Sequence, residues 1–411
     1  MSLIDKIKTN IPGNFNEAYN FAKRKELMLC IRNNVVVPPY EVLIHPSSYC
    51  NLTCEWCIGE YVTTEESVND LEVHYKPKNK NLVLDNNISN PDVMLELIRN
   101  ITSYRKRVCC TLEGVDIDKE FRVENISFSG ITGEPLVAKK AVKAAIEELF
   151  KNNIRIGMFT NGLLIEKDDL DTLTKMSYIN ISLDAGSNEV YARLKCSGNK
   201  SHNLLFDNVL SKINMLVEYK KNTGRDIEVN CSYLIYPENF ELLYETAIKL
   251  KALGVNKLRL KRDIYGHRLL DSTQRSIYRD IIHNIKQELV DDMFNVIEVH
   301  DIDNVSEQVR DFSSCFIQHM MASVGSDGKM YPCNYHPKKN GYMFGNLLTK
   351  SFEEIWISDE RLNIVREIPS ICPKVCDPFK TRSNRLYEKV GSKPSFHIAL
   401  EEARIIFKEL V

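Results

Sequence analysis

The chain has 411 residues, a formal net charge of −2 and 27% charged residues, with acidic and basic side chains interspersed. This length suggests one large domain and a smaller one, and the interspersed charge argues against a nucleic-acid or membrane-surface footprint. The longest apolar runs are strand-sized, and the first residues show no apolar stretch typical of a signal peptide. We therefore expect a cytoplasmic protein whose partners include neither nucleic acid nor membrane.

The first part of the chain, residues 1–38, is a charged segment with a mostly helical pattern. From about residue 40 to 300, short apolar strands alternate with longer helical stretches. The candidate strands are Glu41–His45, Asn125–Ser129, Arg155–Thr160, Tyr178–Leu183, Glu228–Leu234 and Lys257–Lys261. The helical patterns between them are Ala138–Lys151, Asp168–Lys175, Leu205–Lys221 and Phe240–Leu253. Repeated β–α units imply a parallel sheet with right-handed crossovers, so six units predict an α/β fold with a partial (β/α)6 TIM-like barrel.

Alternating side chains in the last candidate strands indicate where the barrel interior lies. Lys257, Arg259 and Lys261 alternate with two leucines, and the preceding strand alternates in the same way. Apolar side chains would pack outward against helices while polar ones point into the lumen. Arg259 and Lys261 would then meet an anionic part of a cofactor or substrate. An edge strand with one solvated face is the alternative.

Two segments depart from a simple barrel. Residues 61–123 form a long connection rich in Asn, Lys, Asp and Glu, and such loops are usually functional lids or disordered insertions. After about residue 305 the alternation stops and a cysteine-bearing module begins. We expect a helical lead-in at 1–38, a barrel at 39–304 that includes the insertion, and a small C-terminal auxiliary-cluster domain at 305–411.

Seven of the twelve cysteines fall into two groups, which points to metal or iron–sulfur ligation rather than a disulfide scaffold. Cys50, Cys54 and Cys57 form a CxxxCxxC group directly after the first candidate strand. Three thiolates can hold three irons of a [4Fe–4S] cubane and leave the fourth iron open for a ligand. A structural zinc site that uses His45 or a distant fourth ligand is the alternative, although zinc sites usually pair two CxxC-like units.

This cysteine group and the segments after it resemble the radical S-adenosylmethionine (SAM) superfamily. Trp56 stands where that family has an aromatic residue near the adenine. Gly133, Glu134 and Pro135 follow the second candidate strand and look like the GGEP motif, which contacts the methionyl amino group of SAM. The resemblance covers about residues 40–265.

Two later motifs extend the resemblance. Asn161, in the stretch Phe159–Gly162, is similar to the TNG motif that follows the third strand in the family. Ser182 and Asp184 lie on one face of the fourth candidate strand, where family members bind the ribose and carboxylate of SAM. Each signal alone fits an ordinary turn or helix cap, so the resemblance depends on their joint order.

The resemblance implies the cofactors and the reaction. A [4Fe–4S] cluster chelates SAM, and one electron from the reduced cluster cleaves the sulfonium bond to give a 5′-deoxyadenosyl radical. The radical then abstracts a hydrogen atom from a substrate, while the protein positions the reactants and excludes water. The implied partners are a small-molecule substrate and an electron donor such as flavodoxin or ferredoxin.

The second cysteine group lies after residue 305. Its spacing, with Gly328 five residues before the second cysteine, resembles C-terminal extensions of the SPASM and twitch type. Four thiolates saturate one cluster, so the resemblance implies one auxiliary [4Fe–4S] cluster, and a four-cysteine structural zinc site is the alternative. The four residues are Cys315, Cys333, Cys372 and Cys376.

Cys196 is a candidate catalytic residue, because its thiol could donate a hydrogen atom to a substrate radical. It follows the fourth candidate strand, and Lys195-Cys196 stands where many SPASM relatives have Arg-Gly. Vicinal Cys109 and Cys110 lie in the insertion without an assigned role.

The length of the segment before the first candidate strand bears on the substrate class. Peptide-modifying members often have an N-terminal recognition domain, whereas only 40 residues precede Glu41 here. This favours dehydrogenation or epimerisation of a sugar, cyclitol or nucleotide sugar. Modification of a ribosomally synthesised peptide, by a crosslink or an epimerisation, is one alternative, and a non-catalytic iron–sulfur or zinc protein is another.

Overall fold

The computed structural model describes residues 23–55, 57, 85–130, 133–196, 204–264, 268–303, 310–334, 342–372 and 376–391. The strands in these ranges are β1 (Glu41–Ile44), β2 (Arg105–Leu112), β3 (Val115–Arg122), β4 (Asn125–Phe128), β5 (Arg155–Thr160), β6 (Tyr178–Ser182), β7 (Glu228–Ile235), β8 (Lys257–Arg262), β9 (Asn295–Glu298), β10 (Met321–Val324), β11 (Lys329–Tyr331) and β12 (Gly345–Asn346). The helices are α1 (Lys25–Arg32), α2 (Pro91–Ser103), α3 (Lys139–Lys151), α4 (Leu170–Leu173), α5 (Asn188–Lys195), α6 (Leu205–Thr223), α7 (Leu243–Leu253), α8 (Ser272–Glu288), α9 (Phe352–Trp356), α10 (Asp359–Glu367) and α11 (Pro378–Gly391).

One ten-stranded sheet organises the molecule, in the order β12-β11-β10-β1-β4-β5-β6-β7-β8-β9. The six predicted strands, β1 and β4 to β8, are consecutive in it and all pair in parallel. The helices between them pack on the outer face, as the β–α alternation predicts. The predicted fold class, an α/β partial barrel with a small C-terminal cluster domain, is confirmed.

Side-chain burial separates the two faces of the sheet. Val229, Cys231, Leu258 and Leu260 are at most 1% exposed and belong to the main hydrophobic core. Their polar neighbours point the other way, and they remain inside the barrel rather than in solvent, because Asn230 and Ser232 of β7 are also buried. The polar lumen predicted from strand alternation is therefore present, and β8 is not an edge strand, since β9 pairs with it.

The prediction that 61–123 is a loop-like connection is wrong for its described part, residues 85–123. This part forms helix α2 and the β2–β3 hairpin. The α2 helix begins at Pro91, and the Asn90 side chain accepts a hydrogen bond from the Asp92 amide. The hairpin turns at Glu113 and Gly114, which both have positive φ as a type I′ turn requires. High charge content obscured these local signals.

The chain after residue 305 does not leave the sheet. Strand β10 pairs in parallel with the free side of β1, and β11 and β12 continue the sheet in antiparallel fashion. A second hydrophobic cluster packs α1 and the β2–β3 hairpin against the segment around Phe316 and Ile368. The predicted domain limits stay a prediction. Across the described ranges, no helix combines the length and apolarity needed to cross a membrane.

Candidate active site

The first cysteine group lies on the loop that leaves β1, and a glycine seats it. A Cβ atom added to Gly133 would lie 2.2 Å from the carbonyl oxygen of Ser47, so only glycine permits this close approach. The next residue, Glu134, donates its backbone N–H to the carbonyl of Tyr49 at 2.8 Å. The motif predicted to bind SAM is therefore packed directly beneath the cysteine loop.

Helix α5 holds the other end of the cysteine loop. The backbone N–H groups of Thr53 and Glu55 donate to the carbonyls of Lys195 and Leu194, at 3.0 and 3.2 Å. These bonds satisfy carbonyls in the last turn of α5 that have no partner within the helix. The loop is thus fixed to the barrel between two elements that follow β4 and β6.

The insertion also supports this loop. The side-chain oxygen of Asn86 accepts hydrogen bonds from the Ser48 amide at 2.8 Å and from the Ser48 hydroxyl at 3.1 Å. The Ser89 hydroxyl donates to the carbonyl of Pro46 at 2.8 Å. Residues just before α2 therefore brace the segment that leads into Cys50, a role that the sequence did not indicate.

The three thiols act on one another electrostatically. Burial holds the pKa of Cys54 well above its ordinary value, the Lys195 ammonium opposes this, and Cys57 and Cys50 raise that pKa further. In the described part of the chain, no three His, Cys, Asp or Glu side chains already surround one point at metal-ligand distances. Three thiol donors on one loop seated by Gly133 match the ligand set of a [4Fe–4S] cluster with one open iron.

His45, considered above as a zinc ligand, has other partners. Its Nδ1 lies 3.1 Å from the carbonyl oxygen of Ser129, and its Nε2 lies 3.5 Å from the Ser323 hydroxyl. The side chain is buried, and burial lowers the pKa of the imidazole to about 4. These contacts make His45 a buried neutral residue that joins β1 to β4 and β10.

Glu134 connects three of the predicted motifs. Its carboxylate accepts hydrogen bonds from the Thr160 hydroxyl at 2.5 Å and from the Asn161 amide at 2.8 Å. The Asn161 side chain in turn donates to the side-chain oxygen of Asn51 at 2.8 Å, within the cysteine loop. Burial raises the pKa of Glu134, although these hydrogen bonds act against the shift. The structure brings Gly133–Pro135 and Asn161 to one place beside the cysteines.

Asp184 and Lys195 form a buried ion pair next to this network. The Lys195 ammonium lies 3.1 Å from Asp184 Oδ2 and also donates to the carbonyl oxygen of Ser182. Asp184 Oδ1 accepts a hydrogen bond from the Leu234 amide at 2.9 Å, so both carboxylate oxygens have protein partners. Burial opposes the charge on Lys195, yet the Asp184 carboxylate raises the pKa of Lys195, which therefore stays above its ordinary value.

Two other predicted site residues are placed differently. Trp56 lies outside the described residues. Cys196 caps the C-terminus of α5 and is 5% exposed within the main hydrophobic core. Burial raises the pKa of its thiol, and this environment is typical of an inert cysteine. The hypothesis that Cys196 donates a hydrogen atom stays a prediction.

The second cysteine group lies around the start of α11. Burial raises the pKa of Cys372, and Cys333 and Cys315 raise it further. Cys376 shares this environment, because its pKa is raised to about 12 by burial and also responds to Cys333. The amide of Asn384 on α11 lies 3.4 Å from the sulfur of Cys315. Four thiols are the number of ligands that one closed [4Fe–4S] cluster requires, although within the described residues no three of them already surround one point at metal-ligand distances.

All twelve cysteines lie within the described residues, and none forms a disulfide. Cys109 and Cys110 are exposed on β2.

A hydrogen-bonded network fills the lower half of the barrel lumen. The Glu41 carboxylate accepts hydrogen bonds from the Ser127 hydroxyl at 2.6 Å and the Asn125 amide at 2.7 Å. Ser127 also meets the Tyr178 hydroxyl at 2.9 Å. A Cβ atom at Gly157 would lie 2.1 Å from the tyrosine ring, so this glycine makes room for the ring inside the barrel.

Sequence reasoning missed several residues of this site. Asn51 connects two motifs, Thr160 was quoted only as part of the TNG-like stretch without a role of its own, and Lys195 was noted only as a departure from the family's arginine. A lysine placed between apolar positions at the end of an amphipathic helix was the available signal for burial. The partners of Thr160 and Asn51 are 26 and 110 residues away in sequence, so no local pattern could reveal them.

Comparison with known proteins supports the same assignment. The Radical SAM superfamily profile matches residues 44–250, and the SPASM profile, an iron–sulfur cluster-binding domain, matches residues 315–377. The tungsten-containing aldehyde ferredoxin oxidoreductase cofactor-modifying protein of Pyrococcus furiosus is 24% identical over 335 residues, which are 76% of this chain and 79% of that protein.

Two solved structures share the fold. Streptococcus suis SuiB bound to S-adenosylmethionine matches with a TM-score of 0.57 and 15% identity, over 90% of this chain and 77% of SuiB. Native anSMEcpe with bound AdoMet matches with a TM-score of 0.53 and 14% identity, over 89% of this chain and all of that one. The predicted cofactors, SAM with one SAM-binding and one auxiliary iron–sulfur cluster, are confirmed at the level of the family. This chain belongs to the radical SAM superfamily.

Proposed function

We propose that the enzyme abstracts a hydrogen atom from a small polar molecule bound in the barrel lumen, in the dehydrogenation or epimerisation of a sugar, cyclitol or nucleotide sugar. The observation that supports this most directly is the polar lining of that lumen. Half-buried or buried polar side chains from successive strands face the lumen. A small hydroxylated molecule bound there would take the place of water as their hydrogen-bond partner. They include Ser127, Tyr178, Asn180, Asn230, Ser232, Arg259 and Lys261.

The chain's own groups have distinct tasks in this proposal. Cys50, Cys54 and Cys57 hold the cluster, which together with SAM supplies the 5′-deoxyadenosyl radical after one electron arrives from flavodoxin or ferredoxin. Gly133 keeps the cysteine loop seated, and Glu134 ties that loop to the strands that border the lumen. The barrel walls exclude water from the radical chemistry.

A C-terminal cluster held by the second cysteine group suits an oxidative outcome. Removal of a hydrogen atom leaves a substrate radical, and a dehydrogenation then requires loss of one proton and one further electron. The auxiliary cluster is the acceptor that we assign to this electron. In an epimerisation no net electron leaves, and a hydrogen atom must instead return to the radical from a donor such as the Cys196 thiol.

The curated relative supports a small-molecule substrate. It is named as a protein that modifies the cofactor of a tungsten-containing oxidoreductase, and it aligns with three quarters of this chain. A peptide substrate is the second candidate, because one structure that shares this fold is SuiB bound to its precursor peptide SuiA. At 14% identity that likeness concerns the fold, so it motivates a test rather than an assignment.

Deuterium transfer distinguishes the two substrate classes. The anaerobically reconstituted protein would be given reductant, SAM and deuterated sugars, cyclitols, nucleotide sugars or peptides in parallel. We expect deuterium to appear in 5′-deoxyadenosine only with a small polar substrate. Transfer from peptides alone would overturn this proposal, and the Cys54→Ala protein, which should make no 5′-deoxyadenosine, is the control.

Cys196 is tested in the same assay. If its thiol returns a hydrogen atom, the Cys196→Ser protein should still transfer deuterium to 5′-deoxyadenosine but form no epimerised product. Normal product formation by Cys196→Ser would show that the thiol has only a packing role.

A further inference from the structure

Two cations on one strand face the lumen above the Glu41 network. Arg259 and Lys261 alternate with the buried leucines of β8, so they share the inward side of that strand. In the sheet register Arg259 is opposite Ser232 of β7, and Lys261 is opposite Leu234. Both side chains are half-buried inside the barrel. A ligand in the lumen would therefore meet two positive charges from one wall.

These cations lack a carboxylate partner among the described residues. Arg259 has the Asn180 side-chain oxygen at 3.4 Å and lies 5.8 Å from the ring centre of Phe159. Lys261 makes no hydrogen bond or ion pair within the described ranges. Lys257, on the same side of the same strand, differs because its ammonium lies 2.7 Å from the Glu228 carboxylate. Of the three cations on this side of β8, Lys257 is therefore paired with a carboxylate, whereas Arg259 and Lys261 are available to a ligand.

The other charged groups near Lys261 offset its charge only in part. The Asp184 carboxylate is already bound by Lys195, as described above. The Asp377 carboxylate accepts a hydrogen bond from the Lys380 amide at 3.2 Å and caps the start of α11. It raises the pKa of Lys261 and of Arg259, but burial outweighs this effect. Burial lowers the pKa of His300 to about 4, which keeps this neighbour neutral. The region retains an excess of positive charge.

Unpaired charge in a partly dehydrated lumen costs folding free energy, and a bound anion would offset that cost. Burial lowers the pKa of Arg259 and lowers that of Lys261 to about 8, which reflects the same cost. A planar guanidinium beside an ammonium is a pattern that suits phosphate and carboxylate oxygens. The carboxylates of Asp184, beside the first cysteine group, and of Asp377, beside the second, both raise the pKa of Lys261.

We propose that Arg259 and Lys261 form a subsite for an oxyanionic group of the substrate, such as a phosphate, with Asn180 holding the guanidinium in place. This inference rests on the proposed function and narrows it to anionic small molecules, with nucleotide sugars and sugar phosphates as the fitting class. Lys261 is opposite Leu234, whose amide donates to Asp184 beside the first cysteine group, so a substrate anchored there by its anion lies next to that group.

Direct binding of pyrophosphate tests the subsite without requiring turnover. Calorimetry on the reconstituted enzyme with SAM bound would compare the wild type with Arg259→Gln and Lys261→Met. Because a hydrogen bond to a charged group contributes about 1.5–3 kcal/mol, we expect each variant to weaken pyrophosphate binding about tenfold or more. Lys257→Gln is the matched control and should bind as the wild type does, while Lys261→Arg should retain most of the affinity.

The SAM affinity of the same variants separates the two possible anions. Weaker pyrophosphate binding with unchanged SAM affinity assigns the cations to the substrate. An equal loss of SAM affinity would assign them to the carboxylate of SAM and overturn the inference, as would unchanged pyrophosphate binding in both variants. If pyrophosphate binds as expected but no small molecule transfers deuterium, the proposed substrate class fails and the anion subsite stands.

Discussion

At the scale of single residues, Lys195 is the group that the sequence left without a role and that the structure places at the centre of the site. Its ammonium joins Asp184 to Ser182, and its carbonyl receives the cysteine loop. A 2% exposed lysine is tolerated only because the carboxylate and the carbonyl bind it. The residue therefore couples the end of β6 to the loop that holds Cys54.

Replacing Lys195 with Met should destabilise the protein by about 3 kcal/mol, because it leaves the Asp184 carboxylate buried without a partner. The double variant Lys195→Met/Asp184→Asn removes both charges and should recover most of this loss. Thermal unfolding of the four proteins under identical anaerobic conditions provides the comparison. If the loss of stability in the double variant equalled the sum of the losses in the two single variants, Lys195 and Asp184 would not be energetically coupled.

Gly133 gives a sharper test of the loop geometry. Gly133→Ala places a Cβ atom against the Ser47 carbonyl, so the cysteine loop must shift, and we expect the iron content to fall by about four atoms per chain. Gly224→Ala is the control, since a Cβ atom there has no neighbour within 4 Å and the φ of +66° alone makes the substitution unfavourable. Full iron content in Gly133→Ala would contradict the close seating described here.

The pH dependence of anion binding tests Lys261. Burial lowers the pKa of this lysine to about 8 from an ordinary value of 10.5, so in the unliganded protein it loses its positive charge as the pH rises through 8. A bound anion favours the charged form, and pyrophosphate affinity should accordingly decrease above about pH 8 in the wild type. In Lys261→Arg the decrease should move out of this range. Identical profiles would mean that another group controls binding.

At the scale of elements, α11 presents a polar face to the auxiliary cysteines. Lys380, Thr381 and Asn384 follow helical spacing, and the last two are fully buried. Hydrogen bonds to cluster sulfurs raise the reduction potential. Asn384→Leu removes the donor to Cys315 and should shift the auxiliary cluster to a more negative potential while leaving the SAM-binding cluster unchanged, as measured by redox titration with EPR. An unchanged reduction potential of the auxiliary cluster would show that Asn384 does not donate a hydrogen bond to the sulfur of Cys315.

The elements also show what a sequence can reveal. The six strands β1 and β4 to β8 were predicted within one or two residues, because parallel strands in a barrel carry alternating polar and apolar residues next to clear helical patterns. Helix α2 was overlooked although Met94, Leu97, Ile98 and Ile101 follow helical spacing, since the surrounding residues are strongly polar. The pairing of β10 with β1 joins segments 280 residues apart, and no local signal encodes that contact.

The same distinction applies to the site. Short motifs located the cysteines, Gly133 to Pro135 and Asn161, because backbone geometry and metal ligation demand particular residue types. The bracing by Asn86 and the joining of Glu134 to Thr160 depend on tertiary packing, which the sequence pattern does not record.

At the scale of the whole molecule, the segment that carries the second cysteine group joins the sheet of the barrel, because β10 pairs with β1. Burial opposes the charge of Lys380, but the thiols of Cys333, Cys376 and Cys315 and the Asp377 carboxylate raise its pKa. The same ammonium also affects Glu41 and His45, which belong to the barrel. The segment with the second cysteine group is thus part of the barrel sheet, which is compatible with the electron-acceptor role proposed above.

The central claim is that the protein cleaves SAM reductively with one cluster and keeps a second cluster in its C-terminal domain. The most direct measurement is anaerobic reconstitution, a count of iron and sulfide per chain, and assay of 5′-deoxyadenosine after addition of reductant and SAM. We predict about eight irons per chain and 5′-deoxyadenosine formation, with both reduced in Cys54→Ala. A protein that takes up no iron and leaves SAM intact would contradict the account.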